Sequence, residues 1–138
     1  MGQNTMATNN PRPIFEAEIE GQPVPQGRAK VTRFGTYYGK RSTAYRHDLT
    51  TLLRGLWEGK PALTDTVAVT LTLAGLSPRA DLDNSAKNVM DALVDAGVLF
   101  DDASQYVAKL TVEAVTSREP SLSVRIEPHR VRVVERTP

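Results

Sequence analysis

The run DLDNSAKNVMDALVDAGVLFDD, residues 81–102, decides the fold of the chain. Within it Ala86, Val89, Met90, Leu93 and Val94 recur at helical spacing, and Gly97 stands where a helix can end in a left-handed turn. The pattern predicts a helix over residues 84–96. Before it, residues 66–74 place Val67, Val69, Leu71 and Leu73 on one face of a strand. After it, residues 105–115 and 122–127 read as two more strands.

Working outward, residues 14–20 alternate Phe15, Ala17 and Ile19 against Glu16, Glu18 and Glu20, as a half-buried strand does. Residues 21–27 carry two prolines and two glycines and cannot be helical. Residues 28–38 read as a small β-hairpin or extended basic loop turning at Phe34-Gly35-Thr36. A first helix is expected after Ser42 or Thr43, either of which can cap it. Tyr45, Leu49, Leu52, Leu53 and Leu56 are its apolar positions, and Gly59-Lys60-Pro61 ends it. The order predicts an α+β fold, a single domain with one mixed β-sheet and two main helices packed on it. Residues 14–127 form that domain, between a flexible N-terminal tail, 1–13, and a C-terminal tail, 128–138. The length of 138 residues suits one domain.

Composition removes whole classes of chemistry. The absence of cysteine excludes disulfides, zinc–thiolate clusters and thiol nucleophiles. No apolar run approaches the ~18 residues of a membrane-spanning helix, and residues 1–13 lack the apolar segment of a signal peptide. A cytoplasmic protein without a membrane partner is expected. Catalysis must come from carboxylates, Lys, Tyr, Ser/Thr or the two histidines, and neither His47 nor His129 has a partner at metal-ligand spacing.

The formal net charge of +1 conceals a segregation. Residues 21–60 hold eight bases and two acids, a net of +6, whereas residues 81–102 hold six acids and one base, a net of −5. The basic half suits a polyanion held by its phosphates. The acidic block would repel that polyanion unless a cation sits among its carboxylates, and a divalent metal resolves the conflict. The alternative is that the two blocks are solvated faces that neutralise each other.

If residues 81–83 are extended, Asp81 and Asp83 leave the same side of the chain. Asp83 also stands where a helix N-cap belongs, and Lys87 lies one turn along. Twelve helical residues advance ~18 Å, and five extended residues, 98–102, can travel back ~17 Å. Asp101 or Asp102 can therefore close a three-carboxylate pocket. Adjacent extended residues point opposite ways, so only one of the two faces it. Hard oxygen ligands suit Mg²⁺ or Mn²⁺, which lower the pKa of bound water and offset charge on a phosphoryl group. Lys87 can donate to that developing charge or help position a nucleophilic water. Rival readings remain: Asp83 as a structural N-cap only, and Asp91 and Asp95 on the solvated face of the second helix. An EF-hand is excluded, because Ala86 and Ala92 occupy the positions that need Gly and Glu.

At these residues the chain resembles the RusA family of Holliday junction resolvases. The matching pieces are a Pro-rich lead-in followed by Gln26-Gly27-Arg28-Ala29-Lys30, then Tyr37-Tyr38 and Thr43-x-Tyr45. Asp81-Leu82-Asp83-Asn84-x-x-Lys87, Asp91-Ala92-Leu93, Gly97 and Asp101-Asp102 complete the set, which spans residues 14–127. The resemblance implies that Asp81, Asp83 and Asp102 are metal-binding catalytic acids, with Lys87 as the fourth catalytic side chain. It further implies a homodimer, with one metal site per subunit, that introduces paired nicks across four-way junction DNA. Mg²⁺, for which Mn²⁺ can substitute, is the expected cofactor, and no nucleotide cofactor is expected. A two-fold dimer suits a junction of approximate two-fold symmetry. Candidate interface material is the apolar surface of the two helices together with an exposed Trp57, although a tryptophan at such a place more often just fills the edge of the core.

Arg28, Lys30, Arg33, Lys40, Arg41 and Arg46, interleaved with Phe34, Tyr37 and Tyr38, read as an arm that grips backbone phosphates and stacks an aromatic on a base at the junction centre. An ordinary exposed hairpin with its aromatics packed on the sheet is the rival. Two other functions stay open: a broader structure-specific or single-strand nuclease built on the same site, and a non-catalytic branched-DNA-binding protein whose acids only cap a helix.

Overall fold

The computed structural model describes residues 12–26, 30–33, 35–37 and 40–135, with the backbone alone for 30–32 and 35–37. Along the chain run β1 (Phe15–Glu20), β2 (Lys30–Thr32), β3 (Gly35–Tyr37), α1 (Lys40–Trp57), β4 (Val67–Ala74), α2 (Leu82–Asp95), β5 (Val107–Val115) and β6 (Ser121–Pro128). Four strands form one sheet in the order β1-β6-β4-β5, and β2-β3 form a separate hairpin. β6 is antiparallel to both β1 and β4, while β4 and β5 are parallel. The α+β reading of one mixed sheet carrying two helices holds.

Strand side chains alternate between faces, and the register turns that alternation into rows. Phe15, Ile126, Val69 and Leu110 form one row; Ala17, Val124, Leu71 and Val112 a second; Ile19, Leu122, Leu73 and Ala114 a third. Apart from the exposed Leu110 and Ala114 of β5, these rows join Leu49, Leu53, Trp57, Val89 and Leu93 of the helices in a single core. The opposite face carries Glu16, Arg125 and Thr70, with Arg125 paired to Glu16 at 3.3 Å. Each fully buried Leu or Val contributes roughly 1.5–3 kcal/mol, against about 0–1 kcal/mol for an exposed ion pair. The apolar rows therefore hold the fold.

Both helices begin earlier than the sequence suggests. α1 starts at Lys40, so Ser42 and Thr43 lie within its first turn rather than before it. Ser42 is buried there, and its carbonyl accepts a hydrogen bond from Asn88 Nδ2 at 3.5 Å. Packing against α2 overrides the capping preference of its side chain. The buried stripe of α1 is Leu49, Leu53 and Trp57 at i, i+4 and i+8, whereas Leu52 and Leu56 are half-exposed. Trp57 is not an exposed interface residue: it is 4% exposed, its ring meets Phe15 edge-on at 5.8 Å, and its Nε1 donates to the Lys60 carbonyl at 2.9 Å. That hydrogen bond satisfies the indole N–H and lets the ring enter the core.

α2 ends in a Schellman motif. Gly97, at φ +80°, donates to the Val94 carbonyl, and Val98 donates to that of Leu93, both at 3.0 Å. The chain then runs beside Leu63 through a parallel bridge to Leu99 before entering β5. Among the described residues no helix is long and apolar enough to cross a membrane.

Gly75 ends β4 at φ +73°, where a Cβ would stand 2.9 Å from the Pro120 Cα, Cβ and Cγ. Gly75→Ala should destabilise the protein by roughly 1 kcal/mol or more, measured by urea unfolding. Tyr45 has a buried hydroxyl with no hydrogen-bond partner among the described residues, and burial pushes its pKa up to about 12. Between the ordinary pKa of 10.0 and about 12 the unfolded chain releases this proton while the folded chain keeps it, so stability falls as pH rises. Tyr45→Phe should remove that component of the alkaline loss without lowering stability at neutral pH, since it deletes an unsatisfied group. A Phe variant less stable than the parent at pH 7 would show that the hydroxyl has a partner.

Candidate active site

The reversal of the chain from β4 into α2 places Asp81 at the N-cap position in extended conformation, φ −80° and ψ 122°. Its carboxylate makes no hydrogen bond to the helix backbone, although its carbonyl accepts from Ser85 Oγ at 2.8 Å. Asn84 Nδ2 donates to its Oδ2 at 3.3 Å. Asp83 falls in the first turn of α2 and is not the cap. Residues 81–83 are thus one extended residue followed by helix, rather than an extended triplet.

The two carboxyls nevertheless meet. The Asp81 carboxyl beside it holds Asp83 below the usual carboxylate range, helped by backbone N–H groups at the helix start. A pair that relieves its repulsion by sharing a proton is a pair that a cation can bridge instead. Helix N-termini also favour negative charge, which explains how α2 begins with two acids in three residues.

Asp81, Asp83, Lys87 and Asp102 line one cavity of about 530 Å³. Its apolar wall is Met90 of α2 with Leu110 and Val112 of β5. Asp101 is not on this lining; its Oδ1 accepts the Asp102 backbone N–H at 2.8 Å. That contact turns the Asp101 carboxylate back on its own chain and leaves Asp102 to the cavity. The structure does not draw the three acids into one cluster. Among the described residues no three His, Asp or Glu side chains stand close enough to hold a metal together. Asp81 and Asp83 lie at the N-terminal end of α2, Lys87 one turn further along, and Asp102 on the segment that leads into β5. Mg²⁺ is commonly held by one or two carboxylates, with water and substrate oxygens completing its shell. The Asp81–Asp83 pair fits that donor set.

Lys87 is anchored from below. Its Nζ donates to Asp91 Oδ1 at 2.8 Å, and this hydrogen bond raises its pKa above the ordinary lysine value, with a further contribution from the Asp102 charge. Asp91 Oδ2 also receives Gln26 Nε2 at 3.3 Å and lies 3.6 Å from Arg46 Nη1. Asp95 accepts both Arg46 Nε at 2.8 Å and Nη2 at 2.6 Å. Asp91, expected on a solvated face, is instead 16% exposed at its side chain and joins α1, α2 and the root of the basic arm. The signal for it was in the chain: it stands four residues after Lys87, the spacing at which helical side chains meet.

Of the six basic residues singled out from the sequence, Arg28 lies outside the described residues, and of Lys30 only the backbone is described. Lys40 is exposed at the start of α1, Arg33 is exposed in the hairpin turn, and Arg41 Nη2 donates to Gln22 Oε1 at 3.0 Å. Arg46 is committed to the two carboxylates of α2. Phe34 and Tyr38 lie outside the described residues. His47 is exposed on α1, and the His129 backbone N–H donates to the Thr66 carbonyl at 3.1 Å.

The sequence profile of a family described as Endodeoxyribonuclease RusA matches residues 20–127, from the end of β1 almost to the end of β6. No curated protein matches the chain. The match spans the whole sheet beyond β1 and both helices, and the chain belongs to the RusA endodeoxyribonuclease family, whose substrates are branched DNA junctions.

The Lys87–Asp91 contact can be read directly. In Asp91→Asn the Lys87 amine should titrate at lower pH than in the parent, because the hydrogen bond and charge that favour its protonated form are removed. The ε-carbon NMR shift of Lys87 followed against pH measures it; an unchanged midpoint would mean that Asp91 does not hold the lysine in solution.

Proposed function

We propose that this RusA-family endodeoxyribonuclease resolves four-way DNA junctions by Mg²⁺-dependent hydrolysis of phosphodiesters, with Mn²⁺ able to substitute, and that it works as a homodimer making paired, symmetric nicks. One observation supports the reading above all: four side chains of suitable chemistry, Asp81, Asp83, Lys87 and Asp102, face a single cavity. Asp81 and Asp83 would hold the cation as oxygen ligands, with Asp102 lining the same cavity. When bound, it supplies Lewis acidity toward the scissile phosphoryl group and lowers the pKa of water.

The chain's own residues supply the rest. The Asp81–Asp83 pair orients hard oxygen donors toward the strand, and its mutual repulsion disfavours an empty, fully ionised state. Lys87 is kept protonated by Asp91, so its role is that of a fixed positive charge. It stabilises negative charge as that charge grows on the phosphoryl oxygens. Met90, Leu110 and Val112 line the same cavity with apolar surface, which raises the effect of that charge by lowering the local dielectric. Lys40 and Arg41 at the head of α1, with Arg28, Lys30 and Arg33 of the arm, hold backbone phosphates; Arg46 acts by tying α1 to α2. A two-fold dimer gives two such sites to the two like-polarity strands of a junction.

The test compares a synthetic four-way junction, a linear duplex and a single strand, each with Mg²⁺ or EDTA. Paired nicks on the junction, dependent on Mg²⁺, are expected. Cutting of all three substrates would point to a broader nuclease, and tight binding without cutting in any divalent metal would reduce the protein to a junction-binding module. Asp83→Asn should lower cleavage by at least about a hundredfold with junction binding kept, as read by gel shift beside the cleavage assay. Turnover near the parental rate in that variant would rule out the site.

A further inference from the structure

A second cavity, of about 370 Å³, opens on the other side of the same turn of α2. Lys87 lines the first cavity and Asn88, the next residue, lines the second. We propose that this cleft between α1 and α2 holds one unstacked nucleotide of the bound DNA strand, its base against Asn88 and Thr50 and its phosphate at Arg54 and His47. The proposal rests on DNA being the substrate and adds a subsite that neither the acids nor the basic arm supplies.

The floor of the cleft asks for a donor. Asn88 is 1% exposed, and its Nδ2 donates to the Val24 carbonyl at 3.0 Å and to that of Ser42 at 3.5 Å. Two carbonyl partners fix which end of the amide is nitrogen. Oδ1 is therefore a buried acceptor, and it has no partner among the described residues. Thr50 Oγ1, in a residue 8% exposed, is in the same state. A buried polar atom left so costs about 1–3 kcal/mol; both atoms lie just beneath the surface of the cleft, so a small opening of the floor on binding would let a ligand N–H reach them and be bound with that advantage.

The rim asks for an anion. Arg46 is neutralised by Asp95, but among the described residues Arg54 Nη2 meets only the Asp95 backbone carbonyl, at 3.1 Å, a contact that leaves its positive charge uncancelled. His47, two turns earlier on α1, lines the same cleft. A phosphodiester alone has no hydrogen to offer Asn88. A water molecule, at ~30 Å³, satisfies the floor but neither fills the volume nor answers the rim. A nucleotide carries both requirements within one unit: each base presents an N–H, and each phosphate an anionic oxygen. The volume lies in the lower part of the ~300–1,000 Å³ range of ligand pockets, as a single base and its phosphate require.

The full chain carrying Asp83→Asn, which keeps cleavage out of the measurement, is titrated by NMR with each deoxynucleoside monophosphate, with deoxyribose 5-phosphate and with inorganic phosphate. At least one mononucleotide should bind about tenfold or more tightly than either phosphate without a base, shifting the Asn88 side-chain amide. Thr50→Val, nearly isosteric and lacking only an unpartnered hydroxyl, should weaken nucleotide binding several-fold, and Arg54→Gln should weaken nucleotide and phosphate alike. Equal binding of phosphate and nucleotides would reduce the cleft to an anion site, and no binding by any probe would make it a water-filled cavity; either overturns the proposal. Binding unmoved by Thr50→Val, with the Asn88 amide unshifted, would place the nucleotide elsewhere and overturn it too. Because the readout needs no cutting, a parent protein inactive on junctions would sink the nuclease reading and leave this result standing, and the reverse holds equally.

Discussion

Parallel pairing of β4 with β5 is the constraint on which the rest of the molecule depends. Two parallel neighbours cannot be joined by a tight turn; the chain must cross the sheet and come back. Here the crossing is α2, and it fixes the site at once. The N-terminus of α2 brings Asp81 and Asp83 together, its flank presents Lys87 and Met90, and β5 supplies Leu110 and Val112 as the facing wall. The short segment that starts β5 carries Asp102 to the same cavity. The side chains of the candidate site are thus consequences of one connection, packed on a core whose apolar rows supply most of the stability.

Electrostatics divides the acidic block into two parts with different fates. Asp91 and Asp95 are answered within the fold, by Lys87, Arg46 and Gln26, so this portion of the basic and acidic segments does neutralise itself. Asp83 and Asp102 form no ion pair among the described residues, and together with Asp81 they face the cavity. The separation follows from the helical repeat: residues 87, 91 and 95 lie on successive turns toward α1, whereas 81 and 83 precede the first full turn. A positive residue in the midst of the site is tolerable because Asp91 anchors it and holds it protonated.

The two surfaces of α2 also differ in how well they are satisfied. Toward the sheet, Ala86, Val89 and Leu93 are buried among hydrocarbon. Toward α1, Ser42, Thr50, Ser85 and Asn88 form a polar seam, in which Thr50 Oγ1 and Asn88 Oδ1 have no partner among the described residues. Natural interiors satisfy nearly all such atoms, and departures gather where a protein binds something. That this seam backs directly onto the turn bearing Lys87 links the packing of the helices to the handling of the strand.

Much of this was legible in the chain by itself. The period-two and helical repeats located β1, β4, β5, β6 and both helices, because burial on one face is a local, periodic demand, whereas residues 28–38 read as either a hairpin or an extended loop and proved to hold the β2-β3 hairpin. The acids, their spacing from Lys87 and the family they mark were equally open to reading. Helix starts were misplaced, since capping propensities at Ser42 and Asp83 are small beside the packing of α1 on α2. Trp57 was left between the surface and the core edge, and the core reading holds because Lys60 accepts its N–H, which nothing local reveals. The residues by themselves left Asp101 and Asp102 open and only the family resemblance pointed to Asp102; the tertiary structure puts Asp102 on the cavity and turns Asp101 to the backbone, and it alone shows Asp91 as the residue on which Lys87, Arg46 and Gln26 converge. It alone also showed that the three acids border one cavity without closing into a cluster. Contacts between residues far apart in sequence depend on the path of the crossover, and no local pattern encodes that path.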